Sequence, residues 1–197
     1  ERRANARARV FMEQGVKPGD FVAVGLPNSN ALYETTFAIW KCGATPCSLS
    51  YRLPRGEASA ILELLKPARV VGGEDDWKAP RRLPADFAFL DRSDERIDAP
   101  IARYWKAMTS GGSTGRPKVI VDHHPAVFDP KTPQLLQFEG VRLLNPGPLY
   151  HNAPFILSHY ALFEGGLVVG MKRFDAAEAL ALTERWKLKW VNFVPTM

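Results

Sequence analysis

Cysteine is scarce: Cys42 and Cys47 are the two in 197 residues. They lie too close together, and with no His or Cys at finger spacing around them, to suggest a disulfide framework or a structural zinc site. Both read as buried free thiols in a reducing cytoplasm. Long apolar runs are also missing. Stretches such as 153–157 and 165–171 are far shorter than the roughly 18 residues that a membrane span needs, so no bilayer crossing is expected. The opening "ERRANARARVF" has a leader's charge without an apolar segment behind it, which does not fit a secretory signal. It also lacks an initiator Met, so the chain is expected to be trimmed from a longer protein. There is no repeat at solenoid spacing and no low-complexity tract.

What is present is ordinary globular material, 46% hydrophobic and 24% charged. A chain of this length hides roughly 70% of the surface its unfolded form exposes, so one domain, or two small lobes, can hold a core without metal or disulfides. Net charge is +5, partly from Arg2, Arg3, Arg7 and Arg9 in an expected first helix. A nucleic-acid arm would use such residues. A solvated helix face beside a buried stripe of Val10 and Phe11 is the preferred reading, and no nucleic-acid partner is expected. A moderate positive balance also suits a polyanionic small molecule.

Periodicity sets out the elements. "DFVAVGL" (20–26) is strand-like between two turn signals, "KPGD" and "PNSN". A helix follows from Asn30 to Cys42, with Tyr33, Phe37 and Trp40 on one face and Gly43 as its stop. "ATPCSLS", a helix over about 55–65 and the strand "ARVVG" complete a strand–helix alternation. The alternation returns in "VRLLNPG", a helical stretch from Ala153 to Phe163, "LVVGM", a helix over about 175–187 and "WVNFVP". Asp175 is placed to cap that last helix, with Glu178 three residues on. The expected fold is α/β, a mainly parallel sheet with helices on both faces. Residues 1–72 form a first α/β half. Residues 73–100, rich in charge and proline, form a surface connection holding one short strand, "FAFL". Residues 101–197 carry a second α/β half.

The chemistry concentrates in "MTSGGSTGRPKVI" (108–120), a loop expected over 109–117 between the strands "ARYWKAM" and "KVIVD". Glycine lets successive backbone N–H groups turn inward and form a concave anion site. Ser110, Ser113 and Thr114 add hydroxyl donors, Lys118 adds a point charge and Pro117 stiffens the exit. A phosphate chain is the ligand that such a set would hold; a mobile serine-glycine hairpin is the plain alternative. The P-loop pattern fails, because Lys118 follows Pro117, no Ser or Thr comes next and a strand rather than a helix follows. No G-x-G-x-x-G is present either, which removes the dinucleotide fingerprint.

This stretch resembles the phosphate-binding signature of the adenylate-forming acyl-CoA synthetases, the superfamily that also holds luciferases and the adenylation domains of peptide synthetases. Against its T-S-G-[ST]-T-G-x-P-K-G form the chain reads Ser110, Gly111, Gly112, Ser113, Thr114, Gly115, Arg116, Pro117, Lys118. Gly111 stands where the family usually has Ser, and Val119 where it usually has Gly. The variant looks most like those of bile-acid or steroid-type CoA ligases. The stretch from Gly15 to Gly72 and the one from Met171 to Met197 are also similar to the family, so the resemblance covers most of the chain.

The resemblance implies an incomplete N-terminal AMP-binding domain, with the C-terminal domain outside the chain. It implies that Ser110, Gly111, Gly112, Ser113, Thr114, Gly115 and Lys118 hold the phosphates of ATP. In "NPGPLYHNAPF" it maps His151 onto the wall of an acyl pocket, where residue types alone would suggest a loop histidine with a backbone partner. The implied reaction joins a carboxylic acid to AMP and then to coenzyme A, with ATP and Mg2+ as cosubstrate and cofactor. The family's magnesium-holding acid, ribose-binding aspartate and C-terminal lysine fall outside 1–197, so the isolated fragment is expected to be inactive without the remainder of its chain. A nucleotide-binding module without chemistry, or a structural domain with an idle loop, are the readings from other classes. Paired His123 and His124 point in different directions, which argues against joint metal ligation, and His159 has no assigned role.

Overall fold

Every strand is five residues or shorter, so each offers few ladder hydrogen bonds and depends on helices packed against the sheet. The computed structural model describes residues 1–75, 77, 79, 81–110, 117–132 and 140–193. The chain forms two compact units, one of residues 1–26 and 30–127 and a second of residues 27–29 and 128–197.

The first unit opens with α1 (Arg2–Glu13), then β1 (Phe21–Gly25), α2 (Asn30–Lys41), β2 (Thr45–Ser48), α3 (Arg55–Leu65) and β3 (Arg69–Gly72). It continues through β4 (Arg82–Leu83), β5 (Lys106–Ser110) and β6 (Lys118–Asp122). The sheet order is β4-β3-β1-β2-β5-β6, parallel except for the antiparallel β5–β6 pair. From β1 the chain crosses to one side to reach β2, then back past β1 to reach β3. Right-handed crossovers in opposite directions put α2 and α3 on opposite faces. Side-chain alternation agrees. Val70, Ala23, Cys47, Ala107 and Val121 form one row across five strands and pack with Ile61, Leu62 and Leu65 of α3. Val22 and Val24 point the other way and are fully buried on the face that α2 covers. Gly43 closes α2 at φ +69, a conformation that few other residues adopt. At Gly72 a Cβ would stand 2.5 Å from the Gly25 carbonyl oxygen, so glycine is what lets β1 and β3 end side by side.

The second unit repeats the winding with β7 (Arg142–Asn145), α4 (Asn152–Phe163), β8 (Leu167–Gly170), α5 (Ala176–Trp186) and β9 (Trp190–Val191). Its parallel sheet has the order β8-β7-β9. Leu143 and Val168 pack with Leu157 and Ala161 of α4, while the adjacent Leu144 and Val169 pack with Ala179 and Leu182 of α5. Asp175 caps α5 as expected, its carboxylate accepting from the Glu178 N–H at 2.8 Å.

Several expectations are corrected. "FAFL" is not a strand. The short strand of that connection is Arg82–Leu83, while Phe87 and Phe89 are buried, with the Phe87 ring 5.5 Å from that of Phe11 in α1. The strand before the glycine-rich stretch begins at Lys106, leaving 102–105 outside it. On α2 the deeply buried side chains are Leu32, Thr35, Thr36, Ala38 and Ile39, whereas Tyr33, Phe37 and Trp40 are only half-buried. The aromatics pack along the helix flank, Trp40 stacking on Trp105 and donating to its carbonyl oxygen.

The arginine face of α1 is not uniformly solvated. Arg7 is 3% exposed, its guanidinium 4.0 Å from the Phe89 ring centroid and its Nε donating to Glu34 of α2 at 3.0 Å. Arg3, one turn earlier, donates to the other oxygen of the same carboxylate. Removing Arg7 would leave Glu34 with half its partners in a partly dry site. We expect Arg7→Ala to cost about 3 kcal/mol in urea denaturation, against about 0.5 kcal/mol or less for Arg9→Ala on the same helix. Equal small losses would show that the buried pair carries no weight.

Candidate functional site

The β5–β6 ladder decides where the glycine-rich stretch begins and ends. Its register runs from Lys106 opposite Asp122 to Ser110 opposite Lys118. Because β5 lies parallel to β2, Ser110 ends at the carboxyl edge of the first unit's sheet, the edge where open α/β sheets bind ligands. Ser110 is half-buried and Lys118 exposed. Gly111, Gly112, Ser113, Thr114 and Gly115 lie outside the described residues. Of the residues expected to bind phosphate, the structure thus brings together Ser110 and Lys118, facing each other across the ladder's last rung. An open groove of about 520 Å³ runs beside β6, lined by Phe21, Leu64, Leu65, Pro117, Lys118, Val119 and Val121.

The other end of the ladder holds a charge cluster that the motif pattern does not single out. Lys106, nearly buried, donates to Asp122 at 3.0 Å, and His124 Nδ1 lies 2.7 Å from the same carboxylate. Burial disfavours the Asp122 anion, yet hydrogen bonds from His124, Trp105 and Lys106 outweigh it and hold the carboxyl well below the usual range. Four residues of strand separate this cluster from the Lys118 rung, roughly 13 Å at strand rise. At that separation solvent and salt screen the Asp122 charge. Among the described residues Lys118 is in no ion pair, which leaves its ammonium available to an anion. Lys106 before the apolar Ala107–Met108 pair and Asp122 after Val119–Val121 were the signal that could have revealed the cluster.

His151 belongs to the second unit. It is the N-cap of α4, in extended conformation at φ −97 and ψ 149. Its N–H donates to the Pro148 carbonyl at 3.0 Å and its carbonyl accepts from Phe155 at 3.1 Å, so its backbone is held at both ends. The imidazole is exposed, 4.7 Å from the Tyr150 ring. Leu149 just before it is buried and donates its N–H to Asn28 Oδ1 at 2.9 Å. Asn28 sits in the "PNSN" turn, which residue types alone describe only as a turn.

The remaining polar groups have structural surroundings. His123 meets the Tyr104 ring edge-on. His159 is fully buried in α4, stacked 4.0 Å from Phe155, with Nδ1 donating to the Phe155 carbonyl at 2.7 Å. Cys42 and Cys47 are buried free thiols, both pushed up to about 12 by burial, so neither is a nucleophile at neutral pH. Among the described residues no cluster of three or more His, Cys, Asp or Glu could hold a metal, and no helix is long and apolar enough to cross a membrane.

Likeness to known proteins agrees with this geometry. The chain belongs to the AMP-binding enzyme family, which matches residues 1–197. A feruloyl-CoA synthase from an Amycolatopsis species is 31% identical over all of this chain, which covers 43% of that relative. A dimodular nonribosomal peptide synthase from Bacillus subtilis is 32% identical over 60% of the chain, and only 6% of that protein is covered. Among solved structures, o-succinylbenzoate CoA synthetase from Bacillus subtilis in complex with its acyl-adenylate intermediate superposes with a TM-score of 0.82 at 19% identity, over 99% of this chain and 54% of that one. The same enzyme bound to ATP and magnesium gives 0.78 at 17% identity, over 96% of this chain and 54% of that one. These likenesses show the fold, that of the N-terminal domains of adenylate-forming enzymes. The chain spans less than half the length of the feruloyl-CoA synthase it matches.

His159 makes the fold sensitive to acid. Burial pushes its pKa down from 6.5 to about 4, against the hydrogen bond to the Phe155 carbonyl. Below 6.5 the unfolded chain takes up a proton that the folded chain refuses until about 4, so stability falls as pH drops through that window. We expect a contribution to the slope approaching about 1.4 kcal/mol per pH unit, which His159→Leu removes in urea denaturation between those limits. An unchanged slope in the variant would assign the acid sensitivity to other groups.

Proposed function

We propose that the protein containing this chain is an ATP-dependent acid–CoA ligase that activates a carboxylic acid as its acyl adenylate and passes the acyl group to coenzyme A. The observation that carries this reading is the last rung of the β5–β6 ladder. Ser110 and Lys118 face each other there, at the carboxyl edge of a parallel sheet, across the ends of a stretch rich in glycine and hydroxyls. That donor set suits a polyphosphate: hydroxyls and backbone amides for oxygen atoms, and one cation for charge. Ser110, Gly111, Gly112, Ser113, Thr114, Gly115 and Lys118 hold the phosphates of ATP. Family membership supports this assignment, as do the neighbours solved with AMP, ATP and magnesium.

ATP supplies the electrophilic phosphorus and pyrophosphate as the leaving group. As the carboxylate attacks, negative charge grows on the departing pyrophosphate, and Lys118 and the hydroxyls are suited to bear it. His151, with Tyr150 beside it, is assigned to recognition of the acid, where the exposed imidazole at a fixed backbone position gives a carboxylate or ring a polar neighbour. The acid is ring-bearing. The feruloyl-CoA synthase relative supports an aromatic acid, and the Gly111 variant of the loop points toward bulky rings in general. Coenzyme A is the acyl acceptor, and the cytoplasm is the compartment that free thiols and a CoA-dependent reaction suit.

The full-length protein decides the matter. We expect pyrophosphate release that depends on an added ring-bearing acid, followed by thioester formation with coenzyme A. Lys118→Ala should lower the release rate about 100-fold or more. A folded protein that binds ATP and releases no pyrophosphate with any acid would leave a nucleotide-binding module instead.

A further inference from the structure

Asn28 joins the second unit from more than a hundred residues away in sequence, and both ends of its side-chain amide are bonded there. Nδ2 donates to the carbonyl of Gly147 at 2.8 Å and to that of Met171 at 2.9 Å, while Oδ1 accepts from the Leu149 N–H at 2.9 Å. These partners settle the amide's orientation. Turned over, it would set oxygen against two carbonyls and N–H against N–H. Gly147, Leu149 and Met171 are all buried, so each of the three polar groups would otherwise lack water as well as a partner.

The clamp lies one step along the chain from Tyr150 and His151. Gly147 to Leu149 is the turn between β7 and α4, and Pro148 at its centre has no N–H of its own to anchor it. The turn is held from outside by Asn28 and leads directly into Tyr150 and His151. His151 in turn hangs its N–H on the Pro148 carbonyl. Met171 follows β8, and its N–H donates to the Asn145 carbonyl at the end of β7. One amide therefore joins the segments that leave two neighbouring parallel strands, and it does so where the chain turns to present His151.

We infer that Asn28 is a positioning residue that sets where Tyr150 and His151 stand, and through them tunes acid recognition while leaving nucleotide binding alone. The inference rests on the reading that His151 recognises the acid. Its mechanism is local: without the amide, the 147–151 turn samples other arrangements, and only a fraction of molecules offer the acid-binding one.

The test uses the full-length protein with Asn28→Ala and Asn28→Asp. The aspartate variant keeps the shape and the acceptor for Leu149 but loses both donors, and it serves alone if the alanine variant does not fold. Two readouts are taken: KM for acid and for ATP in pyrophosphate release, and amide hydrogen exchange across 147–151. We expect KM for the acid to rise about tenfold while KM for ATP stays within about twofold, and exchange at Leu149 and His151 to accelerate about tenfold. Acid and ATP KM rising together, or faster exchange with an unchanged acid KM, would overturn the positioning role. Unchanged exchange would overturn the clamp itself. If wild type shows no acid-dependent release, the ligase reading fails and takes the acid role with it, while exchange still reports whether Asn28 holds the turn.

Discussion

Short parallel strands can be held only from both faces. A strand of four or five residues offers few ladder hydrogen bonds, and a parallel neighbour can be reached only through a crossover, so most of the stabilisation must come from apolar side chains on each side of the sheet. Both units obey this constraint in the same way. Leu143 and Leu144 are adjacent on β7, yet one packs under α4 and the other under α5. Val22 and Ala23 divide similarly between the two faces of the first sheet. Right-handed crossovers running in opposite directions, the first from the central strand and the second back past it, then fix which helix lies on which face. The carboxyl edges remain for the connections: β5 ends in Ser110 at such an edge, and β7 leads into "PGPLYH" at another.

The β5–β6 hairpin separates two jobs along one ladder. At its base, Lys106 and Asp122 satisfy each other, with His124 as a further donor, and the buried ammonium has a carboxylate held ionised beside it. At its tip, Lys118 is exposed with no acidic partner among the described residues. Two lysines of the same hairpin thus differ in what they can do. One is bound into the structure, and the other's charge is in no ion pair among the described residues. Strand rise sets the distance between them, and the distance keeps the structural carboxylate from cancelling the cation at the tip.

The second unit meets a different difficulty, which is holding a turn that contains proline and glycine without a ladder of its own. The solution comes from a distant side chain: Asn28 supplies two donors and an acceptor to buried backbone groups that no neighbouring strand reaches. His159, in the helix that His151 caps, shows the same economy with another outcome. It is fully buried, stacked on Phe155 and kept neutral, and so contributes packing rather than charge.

Local pattern was enough to read the helices and the strands outside 73–100, the cap at Asp175, the stop at Gly43, the buried thiols and the glycine-rich stretch between two strands, because each depends on residues a few positions apart. Family likeness was legible for the same reason: "SGGSTGRPK" is a local motif. Tertiary structure alone decided the rest. Which face of α2 is buried turned on the elements it meets in space, α1 and the sheet, so Leu32, Ile39 and the small residues went inside while Trp40 packed on Trp105. Phe87 and Phe89 became a bed for Arg7 instead of a strand, because α1 offered them more burial than an edge ladder would. Asn28 acquired its partners, and Lys106 its carboxylate, only when segments far apart in sequence met. Hydrogen bonds and burial act across space, and a linear pattern records only the neighbours along the chain.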